Sequence, residues 1–227
     1  MQKNIYSQNE EQSIIQKIIT QFAITPTAVE VGINTGAKGD GTTLQGNTVF
    51  LKDKEWDCLW IDGKTQYTGV LKKMIYPENI VEVLQDNFLQ EQIGIFSIDI
   101  DSEDWHVVRA LLEHGYRPDV FVCETNSYLD PLQDLVMPLG HRRTVRPKSI
   151  CHGATLRAFE NLLSKFKYNF YCNTQLGMNS FWIHESISKK VNDIALFKDN
   201  RHPCTTNWSR TAPTDIWNNS KELLDGQ

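Results

Sequence analysis

The sequence IFSIDIDSEDW occupies residues 95–105 and decides the fold that we expect for this chain. It begins inside an unbroken apolar run, residues 93–98, of the kind that forms a parallel strand covered on both faces. Asp99 and Asp101 follow, and would share a face if the strand continued. Ser102 then opens a helical pattern, in which a serine can cap the first turn. The sequence therefore predicts two carboxylates at the carboxyl end of a central strand, where open α/β sheets bind ligands.

Further apolar runs predict an α/β, Rossmann-like fold: a mostly parallel seven-stranded sheet with helices on both faces. The strands are expected at residues 28–31, 58–61, 79–84, 93–98, 119–123, 168–172 and 180–183. Helical patterns cover residues 10–22, 67–74 and 154–166, and a fourth follows Ser102. The short connection between the last two predicted strands, residues 175–179, predicts an antiparallel hairpin at the sheet edge.

The length of 227 residues suits one domain over residues 1–227. We expect an N-terminal helical segment over about 1–27 and a C-terminal extension over about 186–227. The polar, turn-rich stretch 131–148 is a candidate lid over the ligand edge. The N-terminus lacks an apolar leader, and no apolar run reaches 18 residues, which predicts a cytoplasmic protein with no membrane span. Five widely spaced cysteines without a CxxC pair agree with a reducing compartment.

The net charge of −5 argues against nucleic-acid binding, which needs a basic surface. One short basic cluster lies at residues 141–148. A solvated loop accounts for it, and attraction of an acidic substrate is the alternative.

Acidic residues recur at predicted strand ends. Glu30 lies in the first strand, Asp62 ends the second, and Glu124 ends the fifth. Parallel strands bring these ends, with Asp99, to one edge of the sheet. Each acid also has a simpler interpretation, since an aspartate before glycine is typical of a turn and acids often cap helices. Their repetition favours a shared site.

A glycine-spaced turn follows the first strand, over residues 32–36. Gly32, Asn34 and Gly36 would let backbone approach a nucleotide-like ligand. The dinucleotide fingerprint G-x-G-x-x-G is absent, which disfavours a nicotinamide oxidoreductase.

Seven short motifs resemble, in order, those of class I S-adenosylmethionine-dependent methyltransferases, and more closely the FkbM-like methyltransferases and a related group of bacterial proteins. The motifs are SQNEE at 7–11, EVG at 30–32, GNT at 46–48, SIDID at 97–101, ETN at 124–126, GATL at 153–156 and NSFW at 179–182. The resemblance covers about residues 5–185.

The resemblance implies S-adenosylmethionine as cofactor and a small-molecule or glycan acceptor. Glu30, Gly32 and the turn through Asn34 to Gly36 would line the methionine and ribose part of the cofactor. Asp62 would hold the ribose hydroxyls. Asp86 or Asn87 would lie near adenine, after the third predicted strand. Asp99 would face the methionine moiety or the acceptor.

Methylation of a hydroxyl oxygen needs a group that removes its proton. The candidates are Asp99, Asp101, Glu124 and His152, although a loop histidine bonded to backbone is the simpler interpretation of His152. The three acids could instead hold Mg²⁺, which prefers oxygen ligands. We expect O-methylation of a sugar hydroxyl in a glycan or a glycosylated natural product. The alternative is a catalytically silent Rossmann-like module that binds a nucleotide or a partner, and assembly into a homo-oligomer stays open.

Overall fold

A seven-stranded sheet forms the centre of the protein in a computed structural model, which describes residues 6–35, 43–65, 67–87, 92–140, 152–188 and 217–225. The strands lie in the spatial order β5 (Val70–Lys72), β4 (Asp57–Asp62), β1 (Thr27–Val31), β6 (Ile95–Ile98), β7 (Val120–Glu124), β9 (Asn179–His184) and β8 (Tyr168–Asn173). The first five are parallel, and β9 runs antiparallel to β7 and β8. The predicted α/β, Rossmann-like sheet with a C-terminal hairpin is confirmed.

Helices cover both faces of the sheet because each central strand presents apolar side chains alternately to either face. Val29 and Val31 belong to the core under α2 (Ile80–Asn87), α3 (Asp104–Glu113), α4 (Leu156–Lys165) and α6 (Ser220–Asp225). Ala28 belongs to the core under α1 (Glu11–Gln21), a 3₁₀ helix (Val49–Lys54) and α5 (Glu185–Ser188). Among the described helices, none combines the length and apolar character needed to cross a membrane.

Two sequence predictions in the first half of the chain are wrong: a strand lies where a helix was predicted, and a helix lies where a strand was predicted. Residues 67–74 contain the edge strand β5, because Gly69 takes a positive φ that ends any helix there. Within the predicted strand 79–84, residues 80–84 lie in α2: Ile80, Val83 and Leu84 have i, i+3, i+4 spacing and share one buried face. A short apolar run does not distinguish strand from buried helix by periodicity alone.

The turn after β6 also differs from the prediction. The strand ends at Ile98, and Asp101 adopts a left-handed backbone with φ of 54°, so Asp99 and Asp101 do not continue one strand face. Ser102 does not cap α3, which begins at Asp104. The Asp104 carboxylate instead accepts hydrogen bonds from the backbone N–H of Ile100 (2.8 Å) and Ser102 (3.0 Å). An aspartate therefore stabilises the turn in place of the serine.

The predicted lid is described only as far as residue 140, and residues 141–148 lie outside the described part of the chain. Val136 pairs with Ala154 and with Asn218, which fastens the segment to the start of α4 and to the C-terminal region. Beyond β9, α5 and α6 account for the described part of the C-terminal extension. A small second sheet pairs β2 (Asn34–Thr35) with β3 (Leu44–Gln45).

Candidate functional site

A cavity of about 430 Å³ opens at the carboxyl ends of β1, β4 and β6. Three turns form most of its wall: residues 32–34 after β1, residues 62–65 after β4 and residues 99–102 after β6. Gln8, Val31 and residues 73–76 complete it. The strand order reverses between β1 and β6, and open α/β sheets bind ligands at such a reversal. The cavity therefore lies where the sequence predicted a site.

Gly32 brings two of these turns into contact. Its φ is 94°, and its N–H donates to the carbonyl oxygen of Ile61 over 2.9 Å. An added Cβ would lie 1.6 Å from the carbonyl oxygen of Asp99, so only glycine fits between β4 and β6 here. Asn34 also lines the cavity, whereas Gly36 lies outside the described residues.

Asp62 lines the cavity at the end of β4. Its Oδ1 accepts hydrogen bonds from the backbone N–H of Lys64 (2.7 Å) and Thr65 (2.6 Å), which is the geometry of an aspartate turn. The hydrogen bonds that the described residues donate to Asp62 go to Oδ1, so Oδ2 remains available to accept from a ligand. The turn interpretation and the ligand interpretation are thus compatible.

Glu30 does not line the cavity, although the resemblance implied a cofactor contact for it. Its buried carboxylate accepts hydrogen bonds from the backbone N–H of Asn47 (2.6 Å) and Thr48 (2.8 Å) and from the Thr48 hydroxyl (2.6 Å). Gly46 approaches so closely that an added Cβ would lie 2.7 Å from Oε1. Burial raises the pKa of Glu30, and these hydrogen bonds oppose the rise. The contacts of Glu30 fasten residues 46–48 to the sheet.

Asp86 and Asn87 lie in the last turn of α2, not after a strand as predicted. The Asn87 amide donates to the carbonyl oxygen of Val83 over 2.9 Å, and neither residue lines the cavity. The adenine contact expected for them depended on the incorrect third strand. The true third strand, β5, leads to residues 73–76, which do line the cavity.

Four carboxylates gather where β6 and β7 end: Asp99, Asp101, Asp104 and Glu124. Glu124 Oε2 accepts the backbone N–H of Asp101 over 3.1 Å, and Glu124 shares a hydrogen bond with the Asp99 carboxyl group. Burial and then the neighbouring carboxylates raise the pKa of Asp99 to about 8. Burial likewise raises the pKa of Asp104 to about 6 and that of Glu124 well above its ordinary value. Because like charges repel, each ionised carboxylate raises the pKa of the carboxyl groups beside it.

This cluster predicts a stability that falls as pH rises from 5 to 8 in EDTA-treated protein. Native Asp99 keeps its proton to about pH 8, while the unfolded chain releases it near its ordinary value of 3.8. The stabilisation from that proton is complete below pH 3.8 and is lost as pH climbs through the native pKa, by up to about 1.4 kcal/mol per pH unit. Urea unfolding at pH 5, 6.5 and 8 measures the slope.

Asp99→Asn removes one of the three titrating groups, and a neighbour that raises the pKa of Glu124, so it should make that slope shallower. The matched control, Asp57→Asn, removes an exposed carboxylate at the opposite end of β4 and should keep it. A wild-type stability that stays level or rises between pH 5 and 8 would contradict the expected protonation of the cluster.

His152 is buried beside the cluster. Its Nδ1 lies 3.9 Å from Glu124 Oε1, and its carbonyl oxygen accepts the side-chain amide of Asn126 over 2.8 Å. The ring of Tyr128 stands edge-on to it, with 6.3 Å between centroids. Asp101, Glu124 and His152 each offer one ligand atom, and these atoms lie within 4.8 Å of one another. The structure thus brings together three of the four candidate catalytic residues, while Asp99 adjoins them through Glu124.

A second polar group, which the sequence did not assign, connects α1 to the sheet. Buried Glu11 accepts from the backbone N–H of Asn9 (2.8 Å) and from the Asn179 side chain (3.1 Å). Asn47 donates to Ser97 over 3.1 Å. Asn9 and Glu11 belong to the first motif of the resemblance, and Asn179 belongs to the last. Asn47 and Ser97 belong to the motifs at 46–48 and 97–101. The signal in the sequence that could have indicated this group is the presence of polar residues at positions predicted to lie in the core.

Comparisons of the chain with protein-family models, with curated proteins and with solved structures find no match. The candidate site is therefore interpreted from its own residues.

Proposed function

We propose that this protein is an S-adenosylmethionine-dependent methyltransferase that methylates a hydroxyl oxygen, with a sugar hydroxyl in a glycan or a glycosylated natural product as acceptor. One observation carries the proposal: a cavity at the reversal of a Rossmann-like sheet has the Gly32 backbone, the Asp62 carboxylate and the Asp99 carboxyl group on its wall. A volume of about 430 Å³ suits a nucleoside-sized ligand.

The residues on the wall fit such a cofactor. Asp62 ends the strand next to β1, and its Oδ2 can accept from ribose hydroxyls while Oδ1 keeps the turn closed. Gly32 lets the backbone pass close to a bound molecule, because it carries no side chain itself. Met74 and Tyr76 are among the residues that line the cavity, and side chains of these types can pack against a base.

The bound cofactor would supply a methyl group made electrophilic by its sulfonium charge. The chain must then hold the acceptor oxygen in line and remove its proton. Among the carboxyl groups of the cluster, Asp99 lines the cavity and has a pKa of about 8. Asp99 is protonated near neutral pH in the free protein, and the positive sulfonium of a bound cofactor would favour its ionised form. The ionised carboxylate would then act as the general base that accepts the proton of the acceptor hydroxyl. We assign that role to Asp99.

Asp62→Ala is expected to weaken binding of S-adenosylhomocysteine at least 30-fold, about 2 kcal/mol, because a charged acceptor for the ribose hydroxyls is lost. Isothermal calorimetry measures the change. Asp57→Ala is the matched control: it alters the same residue type at the exposed opposite end of the same strand, and should leave the affinity unchanged. A thermal melt of each variant separates loss of binding from loss of folding.

Three results would count against the proposal. Binding of NAD in preference to S-adenosylhomocysteine would favour an oxidoreductase. Equal affinity in wild type and in folded Asp62→Ala would remove Asp62 from the cofactor site. Tight cofactor binding without methyl transfer to any member of a sugar panel would favour the silent binding module.

A further inference from the structure

Three segments of the chain deliver metal-ligating atoms to one point beside the cavity, whose wall includes Asp101. Asp101 comes from the turn after β6, Glu124 from the end of β7, and His152 from the segment before α4. One atom from each lies within 4.8 Å of the other two. Glu124 and His152 are buried, whereas Asp101 is exposed. The group therefore has a closed end inside the protein and an open end toward solvent and the cavity.

Hydrogen bonds hold the three segments in this arrangement. The backbone N–H of Asp101 donates to Glu124 Oε2 over 3.1 Å. The N–H of Gly153 donates to the carbonyl oxygen of Ser102 over 2.8 Å, which joins the His152 segment to the turn that carries Asp101. The Asn126 amide donates to the His152 carbonyl oxygen over 2.8 Å. These hydrogen bonds fix the relative positions of the three segments, as a preorganised site requires.

The distance between Glu124 and His152 suits a shared ion. At 3.9 Å, Glu124 Oε1 and His152 Nδ1 are too far apart for a hydrogen bond. Two ligands of one metal ion, each about 2.0–2.2 Å from it, can lie up to about 4.2 Å apart. The spacing is therefore short enough for a common metal and too long for a hydrogen bond.

Asn179 gives an independent indication of a ligand at this place. It pairs with Glu124 across β7 and β9, and the bond from Thr125 N–H to the Met178 carbonyl oxygen makes that pair a non-hydrogen-bonded one. Such side chains stand directly opposite on one face, with Cβ atoms about 4.5–5.5 Å apart. Asn179 donates to Glu11, but its buried Oδ1 accepts no hydrogen bond from the described residues. A buried acceptor beside Glu124 calls for a donor, such as a metal-bound water.

We propose that Asp101, Glu124 and His152 bind a divalent transition-metal ion, and that Asn179 Oδ1 accepts a hydrogen bond from a water molecule on that ion. An imidazole with two carboxylates suits manganese, iron or zinc better than magnesium, which prefers oxygen ligands alone. The site differs from the Mg²⁺ site expected from the sequence, since His152 takes the place of Asp99. Three protein ligands leave open positions on the exposed Asp101 side, where a hydroxyl group can reach the ion.

Titration of the EDTA-treated full chain with MnCl₂ and with ZnCl₂ tests this site, without S-adenosylmethionine, so that the outcome is independent of the proposed methyl transfer. Calorimetry should give one bound ion per chain, with an affinity at least tenfold above that for MgCl₂. His152→Ala and Asp101→Asn should each weaken binding at least tenfold, because loss of an outer-shell partner alone costs about that much. A rise in the melting temperature with added metal, absent in both variants, is the second readout.

His114→Ala is the matched control, since it removes an exposed histidine on the far end of α3 and should keep the wild-type affinity. Asp101→Asn decides the test if His152→Ala does not fold, because asparagine tolerates the left-handed backbone at residue 101. No binding below about 1 mM metal overturns the proposal. So does wild-type affinity in either folded variant, or magnesium binding as tight as that of manganese and zinc.

Discussion

Gly32→Ala is expected to lower the free energy of unfolding by at least about 3 kcal/mol and to abolish ligand binding in the cavity. The added Cβ would lie 1.6 Å from the carbonyl oxygen of Asp99 and 2.5 Å from its carbonyl carbon. Both are backbone atoms, so no side chain can rotate to relieve the overlap. The turns after β1 and β6 must separate, and with them the two walls of the cavity.

The backbone conformation alone does not account for that loss, and Gly69→Ala separates the two contributions. Gly69 has a similar φ of 90°, but an added Cβ there meets nothing within 4 Å. Gly69→Ala should therefore lower the free energy of unfolding only by the strain of the left-handed backbone, about 1–2 kcal/mol. Urea unfolding of both variants measures the difference. Equal losses would show that the close approach of Gly32 to Asp99 has no part in the stability.

Glu30→Ala is the second large effect, a loss of about 3 kcal/mol or more. The carboxylate accepts three hydrogen bonds, and its removal leaves the backbone N–H of Asn47 and Thr48 buried without an acceptor, at about 1–3 kcal/mol each. Glu30→Gln keeps the shape and one acceptor oxygen, and also removes a buried negative charge, so it should lose less than Glu30→Ala.

Glu82→Ala is the control for Glu30, since Glu82 is exposed on α2, and its replacement should change stability by no more than about 0.5 kcal/mol. Proteolysis adds a local readout: loosening of residues 46–48 should expose the adjacent chain to cleavage in Glu30→Ala. Stability unchanged in Glu30→Ala would mean that residues 46–48 are held without this carboxylate.

The strands that the sequence predicted best are the central ones: β1, β6 and β7 are buried throughout, and β4 is buried at Trp60 and Ile61. β1, β4, β6 and β7 have few polar residues before their ends, and turns or acids follow each of them directly. β5 and α2 were exchanged because each is short, and a few apolar residues fit either structure. What decides between them is pairing with β4, which is a tertiary interaction.

The candidate site was predictable to the level of strand ends. Gly32, Asn34, Asp62, Asp99 and Asp101 do line the cavity. Glu30 does not, because the approach of residues 46–48 depends on a loop path that local sequence does not encode. The proximity of His152 to Glu124 depends on how residues 152–154 pack against the turn after β6. The sequence named His152 as a candidate without indicating which carboxylate it would meet.

The antiparallel position of β9 governs the order in which a newly made chain can fold. β9 lies between β7 and β8, and its Asn179 binds Glu11, 168 positions earlier. Until residues 179–184 leave the ribosome, β7 presents an unpaired edge, and the helix α1 lacks part of its binding surface. Open edges of this kind attract other strands, and contacts so distant in sequence form slowly. A nascent chain that has emerged only as far as β8 is thus the form most exposed to misassociation during synthesis.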